Sequence, residues 1–322
     1  MDGGKLVTLV FSRLTRLVLV TLAFVATSAV VSSIFADPVF KAFRVGNFPI
    51  GLAFDGQNIW VALSEDNAVT KMRASDGKRL GTFPVGSYPG KLAFDGANIW
   101  VTNSGDDTVI ELRASDGTTL GTFNVGHTPF DILFDGTNIW TSNESGGSND
   151  SSLTKLRASD GAVLGTFPMD GPRGLAFDGQ SIWVANNSDQ TVTKFRPSDG
   201  AIELVVPVRT YPTGICFDGR SIWVCLTGYI SPGKRVTKIL ASDGSIEGEF
   251  PVDTRPFAIT SDGTNVWVGG AIHHSVTEVR IKNGLVRNVF SVPPAPDDIL
   301  FDGANIWVSG SSLNAVTKIS QP

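Results

Sequence analysis

Two cysteines, Cys216 and Cys225, are the only thiols in 322 residues, and they spell no metal-binding motif. A basic stripe is also missing. The formal net charge is −5, and residues 1–36 contribute +2 of it through Lys5, Arg13 and Arg16 against Asp2, so residues 37–322 carry −7. An acidic body lacks the cationic footprint that gives affinity for phosphate backbones, which argues against a nucleic-acid partner. No segment sustains helical periodicity. Apolar runs of four to six residues alternate with turn residues, the language of strands. Nor is any nucleophile spelled beside a base.

The N-terminus differs in kind. Lys5, Arg13 and Arg16 precede an apolar run from Leu17 to Ala36. A basic start, an apolar middle and a small residue at the end are the parts of a secretory signal. An uncleaved anchor is the competing reading, since about 20 apolar residues span a bilayer. Residues 1–36 are therefore expected to be a signal peptide or an N-terminal membrane anchor. Either places residues 37–322 outside the cytoplasm: periplasmic, secreted or on the cell surface. The membrane is then a partner only through an uncleaved segment. Export permits disulfides. The hairpin register below, however, sets Cys216 opposite Trp223 and leaves Cys225 diagonal to it, at a spacing of ~7–8 Å that is too wide for a bridge. Two free thiols are expected.

What the chain does have is repetition. FDGANIW at Phe94–Trp100 returns letter for letter at Phe301–Trp307, and related phrases begin at Phe54, Phe134, Phe177, Phe217 and Ser261. All seven tryptophans close this phrase, at successive spacings of 40, 40, 43, 40, 44 and 40 residues. Each repeat reads as four short strands. A four-residue loop after Phe94 sets Ala93 opposite Trp100 and Phe94 opposite Ile99, and such opposed pairs are the unit of sheet packing. Both faces of the inner strands are apolar, so each sheet must be sandwiched between two others. Seven sheets stacked radially satisfy that requirement. The expected fold is all-β, a seven-bladed β-propeller of four-stranded antiparallel blades over residues 37–322. The last repeat lacks a fourth strand, and Phe40–Gly46 aligns with Leu80–Gly86, so an N-terminal strand should complete the last blade and leave no open edge.

Ile99-Trp-Val-Thr-Asn103 followed by Ser-Gly-Asp-Asp-Thr-Val resembles the YVTN-type propeller repeat of exported bacterial and archaeal proteins. That resemblance implies the fold and little about activity. The proline-led hairpin also looks like the repeat of the virginiamycin B lyases, which are metal-dependent seven-bladed enzymes. Those enzymes carry a catalytic histidine directly after the proline. The corresponding residues here are Ile50, Gly90, Phe130, Arg173, Thr213, Phe257 and Asp297. None is histidine.

The FDG and SDG turns scarcely vary among the repeats, whereas the loops on the opposite side differ in every copy. The variable face, with the channel mouth, is the expected binding surface. Asn103, Asn143 and Asn186 end second strands there, while Asp131, Arg173, Asp297 and Asp298 begin first strands. These seven are the candidate ligand-binding residues. Their oxygens suit Ca²⁺ or Mg²⁺, or simply a hydrated channel. The FDG aspartates read as turn caps. His127 lies in the loop entering the third repeat and His273 and His274 in the sixth, too far round the ring to share a zinc ion. Long loops in the third repeat (141–152) and the fifth (224–235) offer further contact surface, the latter with Tyr229, Ile230, Pro232, Lys234 and Arg235. The expected role is a monomeric binding or scaffold module for an unidentified protein, glycan or small molecule. A metal-dependent hydrolase or lyase is the alternative.

Overall fold

The computed structural model describes residues 38–144, 150–228, 234–252, 255–270, 274–292 and 296–320. Phe40–Ile319 form one compact unit, which carries the propeller. It contains seven four-stranded antiparallel sheets. Six are built from consecutive strands, from blade 1 (Pro49–Pro84) to blade 6 (Pro256–Ser291). Blade 7 takes its first three strands from Pro296–Ser320 and its fourth from Val39–Arg44, as the incomplete last repeat requires. First strands begin at the proline itself, for instance Pro89–Phe94, and second strands start one residue earlier than the apolar pattern suggests, at Asn98. A proline fits there because it opens the strand.

The register is the expected one. Ala93 faces Trp100 and Phe94 faces Ile99, and Cys216 faces Trp223. Both cysteines are free thiols, and burial pushes their ionisation well up. Among the described residues the core is divided into seven apolar clusters, each spanning two neighbouring blades. One joins Trp307 and Val316 of blade 7 to Leu52, Ile59 and Met72 of blade 1, which closes the ring.

Each tryptophan is a wedge with a fixed set of partners. Trp100 is fully buried, packs on Ile132, Ile139 and Leu156 of blade 3, and stacks on Phe123 of its own fourth strand at 5.6 Å. Its indole N–H donates to Asp95 Oδ2 at 2.7 Å. Asp95 Oδ1 accepts from the backbone N–H of Ala97 and Asn98. The FDG aspartate therefore caps its turn with one oxygen and satisfies a buried indole with the other. The same Trp–Asp bond recurs in every blade, at 2.7–2.9 Å. In blade 1, Lys71 lies over Trp60 at 5.0 Å and donates to the Ala114 carbonyl of blade 2, tying the two blades together.

The two invariant glycines serve different needs. Gly56 of an FDG turn has φ +91° with open space where a side chain would go. Gly77 of an SDG turn has φ +76° and its Hα faces Phe43, the fourth-strand phenylalanine that completes blade 7, so an added Cβ would strike that ring. Phe43 in turn stacks on Trp307 at 5.7 Å.

Candidate functional site

The first strands line a central channel enclosing a cavity of about 180 Å³. The third residue of each in turn is Gly51, Lys91, Asp131, Gly174, Gly214, Ala258 and Asp298. Gly51, Gly174 and Gly214 stand so close to the next strand that a Cβ would strike its backbone. Where the side chains are longer, three charges meet in the cavity: Lys91, Asp131 and Asp298.

Lys91 Nζ is 2.6 Å from Asp298 Oδ1, with both side chains more than four-fifths buried. Asp298 Oδ2 accepts from Leu52 N of blade 1 at 2.8 Å. Ser309, whose Oγ accepts from Asp298 N, donates to the Ile50 carbonyl of blade 1. Blade 3 repeats the device. Asp131 Oδ2 accepts from Leu175 N of blade 4, and Ser142 donates to the Arg173 carbonyl. Each Asp–Ser pair thus clamps its blade to the next. Burial pushes the Asp131 carboxyl up to about 6, with the Asp298 charge adding to the rise, against the pull of Lys91 and two backbone N–H donors. Asp297 sits beside this group, its carboxylate accepting from Ser311 N, and burial raises it too.

The remaining candidates do not join them. Asn103, Asn143 and Asn186 are buried inside their own blades, donating to strand hydroxyls on Thr108, Ser152, Thr154, Thr191 and Thr193. None of the three lines the cavity. Arg173 lies at the mouth, its Nε donating to Glu144 Oε1 and its guanidinium 5.2 Å from the Phe130 ring. The seven candidates are accordingly not brought together as one ligand set of the kind that Ca²⁺ or Mg²⁺ would take. Among the described residues no three His, Cys, Asp or Glu side chains come together as a cation site. The channel carboxylates already take an ammonium and backbone N–H donors.

Sequence reasoning missed the rim. Phe48, Tyr88 and Thr128, each directly before the proline of its blade, have φ of 55°, 52° and 50°. Bulky and β-branched residues avoid that left-handed region, the more so before proline. Each is held by the preceding blade. Phe48 N donates to Asn314 Oδ1, Tyr88 N to Asn67 Oδ1 and Thr128 N to Asp107 Oδ1. Phe48 and Tyr88 are nevertheless exposed, at 39% and 61%. A signal was present in the sequence: an Asn or Asp before a third strand, paired with the next repeat's residue before proline.

His127 adjoins this rim between two carboxylates, with Nδ1 2.7 Å from Asp107 and Nε2 3.4 Å from Asp150. The hydrogen bond to Asp107, and then the two negative charges, raise its pKa. A raised folded value means stability that is present below the unfolded value of about 6.5 and is lost as pH rises through the folded one. An NMR titration should place the His127 ring above 6.5, and Asp107→Asn should bring it down. An unshifted native His127 would refute the bridge. His274, in blade 6, is exposed with φ 52°. His273, residues 145–149 of the long blade 3 loop, and Tyr229, Ile230 and Pro232 of the blade 5 loop lie outside the described residues. Lys234 and Arg235, expected in that loop, begin the strand Lys234–Leu240 instead.

No protein-family model matches the chain, and no curated protein does. Solved structures do. Streptogramin B lyase aligns at 19% identity and TM-score 0.73 over 89% of this chain and 98% of its own. Hydrazine synthase of Kuenenia stuttgartiensis aligns at 17% and 0.73, over 85% and 95%. The Cps50 (Swd1) propeller domain of Myceliophteria thermophila aligns at 11% and 0.73, over 88% and 100%. At these identities, among proteins so different, the property shared with this chain is the β-propeller fold.

Proposed function

We propose that the protein is an exported binding or scaffold module of YVTN-type repeats that recognises its partner on the face bearing the channel mouth and the variable loops. The observation that carries this reading is the strained rim. A left-handed backbone at a non-glycine residue costs about 1–3 kcal/mol. Burial does not repay that cost at Phe48 and Tyr88, because both rings face solvent. Presentation of the rings to a partner does account for it. In the channel below Lys91 pairs with Asp298 while Asp131 takes backbone N–H donors, and no histidine stands directly after the blade prolines.

The test pairs a binding screen with strain relief. Phe48→Gly with Tyr88→Gly should leave the thermal midpoint unchanged or raise it by a few degrees, since glycine accepts the conformation freely. The same variant should lose the protein, glycan or small-molecule partner that the native protein retains in a pull-down and thermal-shift screen. A retained partner would move recognition away from this rim.

A further inference from the structure

A second cavity opens on the same face where blades 4, 5 and 6 meet. It encloses about 170 Å³ and is lined by Arg173, Asn187, Tyr211, Thr213, Thr227 and Arg255. Neither the channel triad nor the strained residues contribute to it. The geometry points to a binding site for a sugar acid, a hexuronate unit whose carboxylate sits between Arg173 and Arg255. This rests on the reading of the variable face as the recognition surface and names the ligand class it takes.

Each wall supplies one part of that chemistry. Arg173 and Arg255, from different blades, both line the cavity, and the planar guanidinium fork matches a carboxylate better than any other side chain does. Arg173 is held in place from behind, by Phe130 under its plane and by Glu144, which accepts from Nε, one of its five N–H donors. Phe130 is itself braced edge-on by Phe257 at 6.2 Å. Tyr211, 44% exposed, provides an aromatic surface against which the C–H face of a pyranose packs.

The floor is polar and already ordered. Thr213 and Thr227 are 1% and 5% exposed, with their hydroxyls 2.8 Å apart. Thr227 donates to the Pro256 carbonyl, so Thr213 is the donor between the two hydroxyls and its oxygen remains an acceptor. Asn187 Nδ2 donates to the Pro212 carbonyl, which aims the side-chain amide between blades 4 and 5. Hydroxyl and amide groups at the base, already bonded within the protein, offer their remaining acceptor positions to the ring hydroxyls of a sugar. The volume suits one end of such a unit. A cavity of ~150 Å³ takes benzene, so about 170 Å³ seats the carboxylate end of the pyranose while the rest of the ring extends through the open side.

Calorimetric titration of the native protein with D-glucuronate and D-galacturonate, against glucose and galactose as neutral controls, tests the assignment. One or both uronates should bind at least tenfold more tightly than the matching neutral sugar. Arg255→Gln should abolish that preference, and Tyr211→Ala should weaken uronate and neutral sugar alike. Melting curves of both variants show whether they are folded, and the native comparison of charged with neutral sugar holds even where a variant is not. Equal binding of charged and neutral sugars, or uronate binding untouched by either substitution, overturns the inference. Failure of both uronates, alongside a different partner lost on Phe48→Gly with Tyr88→Gly, overturns it too and leaves the reading of the face intact.

Discussion

Trp100→Ala is expected to cost ~3–5 kcal/mol, because removing a fully buried indole forfeits its transfer energy and leaves a cavity the sheets cannot close. The cavity would lie between blades 2 and 3, where Trp100 meets Ile132, Ile139 and Leu156. Phe123 would lose the ring it stacks on. Trp100→Phe keeps an aromatic ring and loses the donor to Asp95, so its cost should be near ~2 kcal/mol, about one hydrogen bond plus a smaller gap. Because blade 5 repeats both the bond to the turn aspartate and the stack on a fourth-strand phenylalanine, Trp223→Ala should match Trp100→Ala to within about 1 kcal/mol. Urea unfolding of the three variants measures this. A loss below ~1 kcal/mol for Trp100→Ala would mean that the indole is not the wedge that holds neighbouring blades apart and together.

That wedge was legible in the sequence because it is written seven times. Repetition separates what a blade needs from what varies, and it yields sheet count, register and the closing strand. The aspartate's second task was less visible. Turn chemistry alone explains FDG, and only the fold shows that the indole five residues on points back to the same carboxylate. The lysines over the indoles escaped notice for a related reason. Lys71 looks like a solvated position on a strand, yet its ammonium reaches a carbonyl about forty residues ahead in the next blade.

The site was legible in part. Asp131, Asp297 and Asp298 do lie about the channel, as residues breaking the repeat on an inner strand should. Lys91 belongs with them and was passed over, although it occupies the same place in blade 2 that the aspartates hold in blades 3 and 7. The asparagines misled. A polar residue ending a second strand reads as a channel ligand. In the fold that position points into the blade, where Asn143 reaches the hydroxyls of Ser152 and Thr154. Distances between blades decide such questions, and no spacing within a repeat encodes them.

Lys91 carries the other large effect. Lys91→Met keeps the length of the side chain and removes the charge, leaving the Asp298 carboxylate buried without its cation and Asp131 without the charge that opposes its desolvation. Breaking a buried pair from one side costs ~3–5 kcal/mol, and that is the loss expected near pH 8. The pH dependence identifies the cause. Asp131 already titrates at about 6, above its ordinary 3.8, so the folded state holds its proton more tightly than the unfolded chain does. Stability from that proton is complete below about 3.8 and disappears as pH rises through about 6. Without Lys91 the folded value climbs further, so the variant should regain stability on acidification, and over a window shifted to higher pH than in the native protein. Neutralising the carboxylates offers a second check. Asp131→Asn and Asp298→Asn, added to Lys91→Met, retain an oxygen for Leu175 N and Leu52 N, and should recover most of the loss near pH 8. Melting curves from pH 5 to 8 decide between causes. A deficit that is constant across that range, or one the two asparagines leave in place, would show that Lys91 acts by packing and that the three charges are not a unit.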